Sequence, residues 1–315
     1  MKQQSTLRTT FRRLSLGFIT LAISCSALVA AHASLPGLPF LKPDNLTSIA
    51  AAPGGGFWLQ IQDDYAFSTP TPPGYTVAYE GAPEYDDVHH AGLIVAVPGT
   101  AGYWIVTRDG KIHARGGAPT LCNGDLETCS SFSGNANSYL TAIAATPTGR
   151  GLWAVGRDGK VWTAGDAMSY GDTTFDDAVP TGIAATPSGE GYYIAVDNGG
   201  VHSFGDAKFY GSTGGTKPNG HPISGIATSI DATGAVNGYW LVIRDGGVLA
   251  FGNAPFWGSS GGNDSVVTSI VSFRTSEVND NNPETIGYAW INSRGRIGMC
   301  TKDRPCGGTV TASAP

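Results

Sequence analysis

Two groups of residues in this chain hold side chains that could do chemistry together. The first is Glu84-Tyr85-Asp86-Asp87-Val88-His89-His90, which places carboxylates beside two histidines. Those types could ligate a metal ion or supply a general acid and base. The spacing works against a joint site, because adjacent residues of an extended chain point to opposite faces. His89 and His90 are therefore kept as ligand-binding candidates on a polar loop, with no metal and no cofactor assigned.

The second group is a series of polar pairs: Asp63-Asp64, Arg108-Asp109, Arg157-Asp158, Asp197-Asn198, Arg244-Asp245 and Ser293-Arg294. If one face of the fold gathers them, Arg108, Asp109, Arg157, Asp158, Asp197, Arg244 and Asp245 make a ring of charge that could recognise a polar ligand. The competing reading is turn chemistry, since Asp and Asn followed by Gly are what tight hairpins prefer. Asn279-Asp280-Asn281-Asn282 lacks the alternation and closing glutamate of a calcium loop and reads as a surface insertion.

What positions these pairs is a repeat. A glycine, bulky residues, a short apolar run and a tight turn recur from Gly56, Gly102, Gly151, Gly191, Gly238 and Gly287, at steps of 46, 49, 40, 47 and 49 residues. Such a period signals a repeat architecture. The fourth copy is the clearest. Pro180 to Pro187 reads as a strand of small residues, Tyr192 to Val196 as a second and Val201 to Phe204 as a third after the turn Asp197-Asn198-Gly199-Gly200. Lys208 to Gly211 reads as a fourth. Ala-rich first strands and doubly apolar second strands fit sheets stacked face to face.

The expected fold class is therefore all-β: a six-bladed β-propeller of four-stranded antiparallel blades, with its ring closed by the N-terminal strand. Gly37-Leu38-Pro39-Phe40 precedes the first repeat as Ala254-Pro255-Phe256-Trp257 precedes the last, so it reads as an orphan fourth strand. The aromatic set Trp58, Trp104, Trp153, Tyr193, Trp240 and Trp290 is expected to pack between blades. Tyr170, Tyr210 and Trp257, nearer the rim, are better candidates for a ligand.

Residues 1–33 have the form of a signal peptide: Lys2, Arg8, Arg12 and Arg13, an apolar stretch from Leu16 to Ala31, and a small-x-small site at Ala31-His32-Ala33. Residues 34–315 are expected to form a single propeller domain, secreted to the periplasm or beyond, without a further membrane span. Removing residues 1–33 takes away four basic residues and no acidic one, so the net charge of −6 becomes −10. Such a surface repels phosphate backbones, which argues against nucleic-acid partners. The four remaining cysteines fall into close pairs, and in an oxidising compartment Cys122–Cys129 and Cys300–Cys306 are the expected disulfides.

The copies Gly191 to Gly211 and Gly238 to Gly258, and less closely Gly151 to Gly171, resemble a repeat of exported bacterial proteins that reads roughly GYWLVASDGGVFSFGDAxFYGS. The resemblance implies a β-propeller-like envelope or extracellular protein, a binding or surface module. It brings no catalytic residues. The expected function is a non-enzymatic, monomeric module that binds a protein or a glycan. The alternative is a glycan-acting hydrolase on the same scaffold. Arg157-Asp158-Gly159-Lys160-Val161-Trp162-Thr163 departs from the sialidase repeat, having Asp and Gly adjacent and Trp before Thr. No pair of acids is marked out for glycoside hydrolysis.

Overall fold

The structure is a computed structural model. It describes residues 46–51, 57–61, 66–68, 92–130, 132, 139–172, 174, 177–259, 266–274, 284–293 and 297–306. All of them belong to the unit Ser34–Pro315. The leader 1–33, Gly37 to Phe40, Asp63-Asp64, His89, His90, Asn279 to Asn282 and Arg294 lie outside the described residues.

The described elements are eighteen strands in six antiparallel three-stranded sheets, with short 3-10 turns between some of them. The first sheet holds β1 (Leu46–Ala51), β2 (Phe57–Ile61) and β3 (Ala66–Ser68). The second holds β4 (Gly92–Ala96), β5 (Tyr103–Thr107) and β6 (Ile112–Arg115). The third holds β7 (Leu140–Ala145), β8 (Gly151–Gly156) and β9 (Val161–Gly165). The fourth holds β10 (Pro180–Ala185), β11 (Gly191–Val196) and β12 (Val201–Gly205). The fifth holds β13 (Ile223–Ile230), β14 (Val236–Ile243) and β15 (Val248–Gly252), and the sixth β16 (Val267–Arg274), β17 (Thr285–Asn292) and β18 (Ile297–Thr301). In every sheet the second strand is central.

The alternation of each second strand sets the packing. β8 and β11 are buried at every residue. The residue after the repeat glycine faces the preceding sheet and the next one faces the following sheet. Tyr192 thus shares a core with Trp153 and Val155 of the third sheet, while Tyr193 shares one with Tyr239 and Leu241 of the fifth. Trp104 packs with Leu152 and Ala154, and Trp240 with Tyr288 and Trp290. Ala289 and Ile291 of the sixth sheet pack with Ile49 of the first, and Ala50 packs with Ile94, Tyr103 and Ile105. Each sheet therefore shares a core with two others. Burying an aromatic side chain in such a core contributes roughly 1.5–3 kcal/mol.

The first strands touch in sequence: β1 with β4, β4 with β7, β7 with β10, β10 with β13, β13 with β16 and β16 with β1. In five of the six sheets the first strand carries a one-residue register shift near its start. The hydroxyls of Thr141, Thr181, Ser224 and Thr268 at this place donate to the carbonyls of Val155, Ala195, Val242 and Ile291 at 3.2–3.4 Å. A bulge leaves ladder groups unpaired and bends the strand; here the hydroxyl takes up one of those groups.

The expected fourth strand is not a strand. After β12 the chain turns at Gly205, whose φ of 64° suits glycine. Residues 207–211 then run without a ladder. Their polar groups find partners elsewhere. Tyr239 Oη accepts the Tyr210 N–H and donates to the Gly211 carbonyl. Tyr192 donates in the same way to Gly171, and Tyr288 to Gly258. From the other side the indole N–H groups of Trp104, Trp153 and Trp240 donate to the carbonyls of Pro119, Met168 and Pro255 at 2.7–2.8 Å. Each such segment is held by a tryptophan of its own repeat, a tyrosine of the next repeat, or both.

The disulfides Cys122–Cys129 and Cys300–Cys306 are both formed. The first closes a loop that seats fully buried Leu126 beneath the β5–β6 hairpin, with the Leu126 N–H donating to the Gly110 carbonyl at 3.0 Å. The second lies in a tail that returns to the segment after β15, where Cys306 N–H donates to the Trp257 carbonyl at 2.6 Å.

Candidate functional site

The hairpins between second and third strands carry the charged candidates, and the structure gives most of them local work. Asp109 accepts from the Thr107 hydroxyl within its own turn. Asp158 accepts from the Lys160 N–H at 3.2 Å and Asp245 from the Gly247 N–H at 2.9 Å. Arg108 reaches across to the Leu140 carbonyl at 2.9 Å, and burial lowers the pKa of its guanidinium. Arg157 and Arg244 are exposed. The turn reading thus accounts for the bonds of Asp109, Asp158 and Asp245.

Asp197 differs. Its Oδ1 accepts the Val179 N–H at 3.0 Å and its Oδ2 pairs with Lys217 Nζ at 3.1 Å. Its own carbonyl accepts the Ile223 N–H at 2.9 Å. It therefore ties the connection entering the fourth sheet to the connection leaving it. Thr213 N–H adds a bond to the Gly199 carbonyl at 3.1 Å. A Cβ at Gly199 would fall 1.8 Å from Thr213 Oγ1, so only glycine allows this approach.

Between these two connections, over the β11–β12 hairpin, lies a cleft of about 410 Å³. Its polar lining comes from Thr174 and Asp177 on one connection, Asn198 and His202 on the hairpin, and Ser212 on the other connection. Asn198 Oδ1 accepts the Gly200 N–H at 3.0 Å, and Ser212 Oγ accepts the Gly214 N–H at 3.2 Å. Burial lowers the pKa of His202, which favours the neutral imidazole. Among the described residues no lysine or arginine lines this cleft. Sequence reasoning missed His202, Asp177 and Ser212. The available signal was a polar exception to the repeat: His202 occupies the place held by Trp162 in β9 and Leu249 in β15, by ladder register.

A second cavity, of about 370 Å³, is lined by all six first strands. Its wall is alkyl and hydroxyl side chains, with Thr141, Thr181, Ser224 and Thr268 among them, together with the strand edges that face no sheet partner.

The rim aromatics have partners within the fold. Tyr170 donates to the Gly189 carbonyl at 3.0 Å, Tyr210 donates to Val236, and Trp257 is buried against Trp240 and Tyr288. The large exposed hydrophobics are instead Met168, Phe209 and Phe256. Trp290 is also out of step with the other tryptophans. It pairs with Gly298 where Trp240 pairs with Ala250, three residues after its repeat glycine rather than two, and Ala289 holds the equivalent place.

Among the described residues no group of three His, Cys, Asp or Glu side chains converges, and no helix is long and apolar enough to cross a membrane. No family model matches the chain, and no curated protein matches it. Among solved structures it is similar to the β-propeller domain of Cps50 (Swd1) from Myceliophteria thermophila, with 12% identity over 82% of this chain and 84% of that one and a TM-score of 0.46.

Proposed function

We propose that the chain is an exported six-bladed β-propeller, closed by its N-terminal segment, that serves as a binding module for a protein or a glycan. The six sheets, the cyclic contacts of their first strands and the shared core between sixth and first sheets support the architecture. The two disulfides fit an oxidising compartment, and the leader-like residues 1–33 and the resemblance to exported bacterial repeat proteins belong to the same reading.

One observation carries the functional part. The polar groups that recur from repeat to repeat are largely used inside the fold. Asp206 accepts from Thr186 at 2.8 Å and Ser188 at 2.6 Å, and Asp166 accepts from Thr146 and Thr148 at the same distances. Tryptophan and tyrosine donors hold the segments after the third strands. Recognition is left to the connections, which do not repeat. The central cavity offers peptide edge, hydroxyl and alkyl groups, a surface suited to contact rather than to the paired carboxylates of glycoside hydrolysis.

A glycan array run beside a pull-down from envelope extract tests this reading. Saturable capture of a glycan or a defined protein is the expected result. Turnover of a glycan substrate would overturn it in favour of the hydrolase.

A further inference from the structure

We propose that the cleft over the β11–β12 hairpin binds a neutral saccharide unit. This rests on the binding-module reading and names the site and the class of ligand.

The cleft is built rather than incidental. Asp197 fastens both of its walls to the hairpin that floors it, through Val179 on one side and Lys217 and Ile223 on the other. Its volume of about 410 Å³ falls within the range of small-molecule sites. It occurs where one repeat departs from the others, so no repetitive structural job explains its side chains.

The chemistry of the lining selects the ligand. Ser212 accepts a backbone N–H through its oxygen, which leaves its proton to donate. Asn198 spends Oδ1 on Gly200 and keeps its amide protons. Asp177 offers carboxylate acceptors on the facing connection. A sugar hydroxyl can donate to Asp177 while its oxygen, or a neighbouring hydroxyl oxygen, accepts from Asn198 or Ser212. A phosphate, sulfate or carboxylate would meet Asp177 with no lining cation to offset it. An amine would leave the Asn198 and Ser212 donors without acceptors. A neutral polyhydroxy ligand satisfies both sets, the donors of half-buried Asn198 and Ser212 and the acceptors of exposed Asp177.

The test uses residues 34–315 on an array of neutral and acidic glycans, beside the envelope pull-down, with Asp177→Asn and Ser212→Ala as cleft variants. Lys302→Ala, exposed after β18 and outside the cleft, is the control. Expected is binding of neutral glycans, weakened roughly 10-fold or more by Asp177→Asn, the scale of one hydrogen bond to a charged group. Ser212→Ala should weaken it less and Lys302→Ala should leave it intact. Because Asp177→Asn is isosteric and Ser212→Ala removes one oxygen, unchanged melting temperatures separate lost contacts from lost fold. Neutral-glycan binding that survives both cleft variants overturns the cleft assignment and leaves the module reading standing. So does binding confined to acidic glycans, or capture of a protein with no glycan bound. Absence of both glycan and protein binding overturns the two together.

Discussion

Tyr239 and Tyr288 each use one hydroxyl to hold two backbone groups of the preceding repeat. Tyr239 accepts from Tyr210 N–H and donates to Gly211, and Tyr288 accepts from Trp257 N–H and donates to Gly258. Burial pushes both phenols up to about 12. A raised phenol pKa means the unfolded chain gives up its proton first. The stability these groups contribute is therefore full below about pH 10 and is lost as pH rises towards 12. Tyr239→Phe should cost about 1–2 kcal/mol at neutral pH and flatten part of the alkaline loss, read by denaturant unfolding at pH 8 and pH 11. His202 works in the opposite pH range. Burial lowers its pKa from 6.5, so the unfolded state binds the proton more readily and stability falls as pH drops below about 6.5. His202→Gln should reduce the loss of melting temperature between pH 7.5 and pH 5.5. The sequence marked the partners Trp153 and Trp240 as packing residues, and the pairs Trp153 with Tyr192 at 5.7 Å and Trp240 with Tyr288 at 5.0 Å agree. Their hydroxyl and indole bonds were hidden, because each acceptor sits in another element. His202 was hidden for the same reason: its neighbours in the cleft arrive on two connections whose path no local pattern encodes.

At the level of elements, short runs of small or apolar residues bounded by turn residues located the strands of the fourth copy to within two residues, with β10, β11 and β12 at Pro180–Ala185, Gly191–Val196 and Val201–Gly205. The fourth strand failed because Phe209-Tyr210-Gly211 has strand-like composition while its backbone partners are side chains of the next sheet. Composition reports what a segment can bury and not which donor reaches it. The Cys122–Cys129 pairing, by contrast, was legible from proximity alone. What that loop does was not: it carries Leu126 into the core shared by the second and third sheets. Cutting the staple frees a loop of sequence separation 7, and chain-entropy reasoning assigns such a loop roughly 2–3 kcal/mol. A Cys122→Ser, Cys129→Ser double variant should lose about that much in denaturant unfolding. Leu126→Ala, with the disulfide intact, should cost about 2–5 kcal/mol by leaving a cavity under Gly110. If the disulfide acts by seating Leu126, the two changes should combine to less than their sum, since residues in one contact network are coupled.

For the whole molecule, the weight of each inter-sheet junction depends on the second residue after the repeat glycine. That residue is Trp104, Trp153, Tyr193 and Trp240 at four junctions, and Ala289 where the sixth sheet meets the first. Among the described residues the tail turns away from this junction, with the Cys306 N–H donating to the Trp257 carbonyl in the segment after β15. Among the described residues, the buried side chains of this junction, Ile49, Ala289 and Ile291, are aliphatic, with Phe273 packed against them. A chain whose sheets each depend on two neighbours opens first at the weakest shared core. This is the junction that Gly37-Leu38-Pro39-Phe40, with its resemblance to Ala254-Pro255-Phe256-Trp257, is proposed to reinforce. If the segment packs there, burial of Leu38 and Phe40 contributes roughly 1.5–3 kcal/mol for each side chain fully covered. Each kcal/mol moves the melting temperature by about 2–4 °C for a domain of this size. Removing residues 34–45 should therefore lower the melting temperature by several degrees, and hydrogen exchange should quicken in β1 and β16–β18 before it changes in β10–β12. A truncated chain that melts with the full one would separate the six sheets from any need for the N-terminal strand. Ala289→Leu in the truncated background would then test whether the junction has space left to fill: a rise in melting temperature means it does, and a fall means that it is already packed.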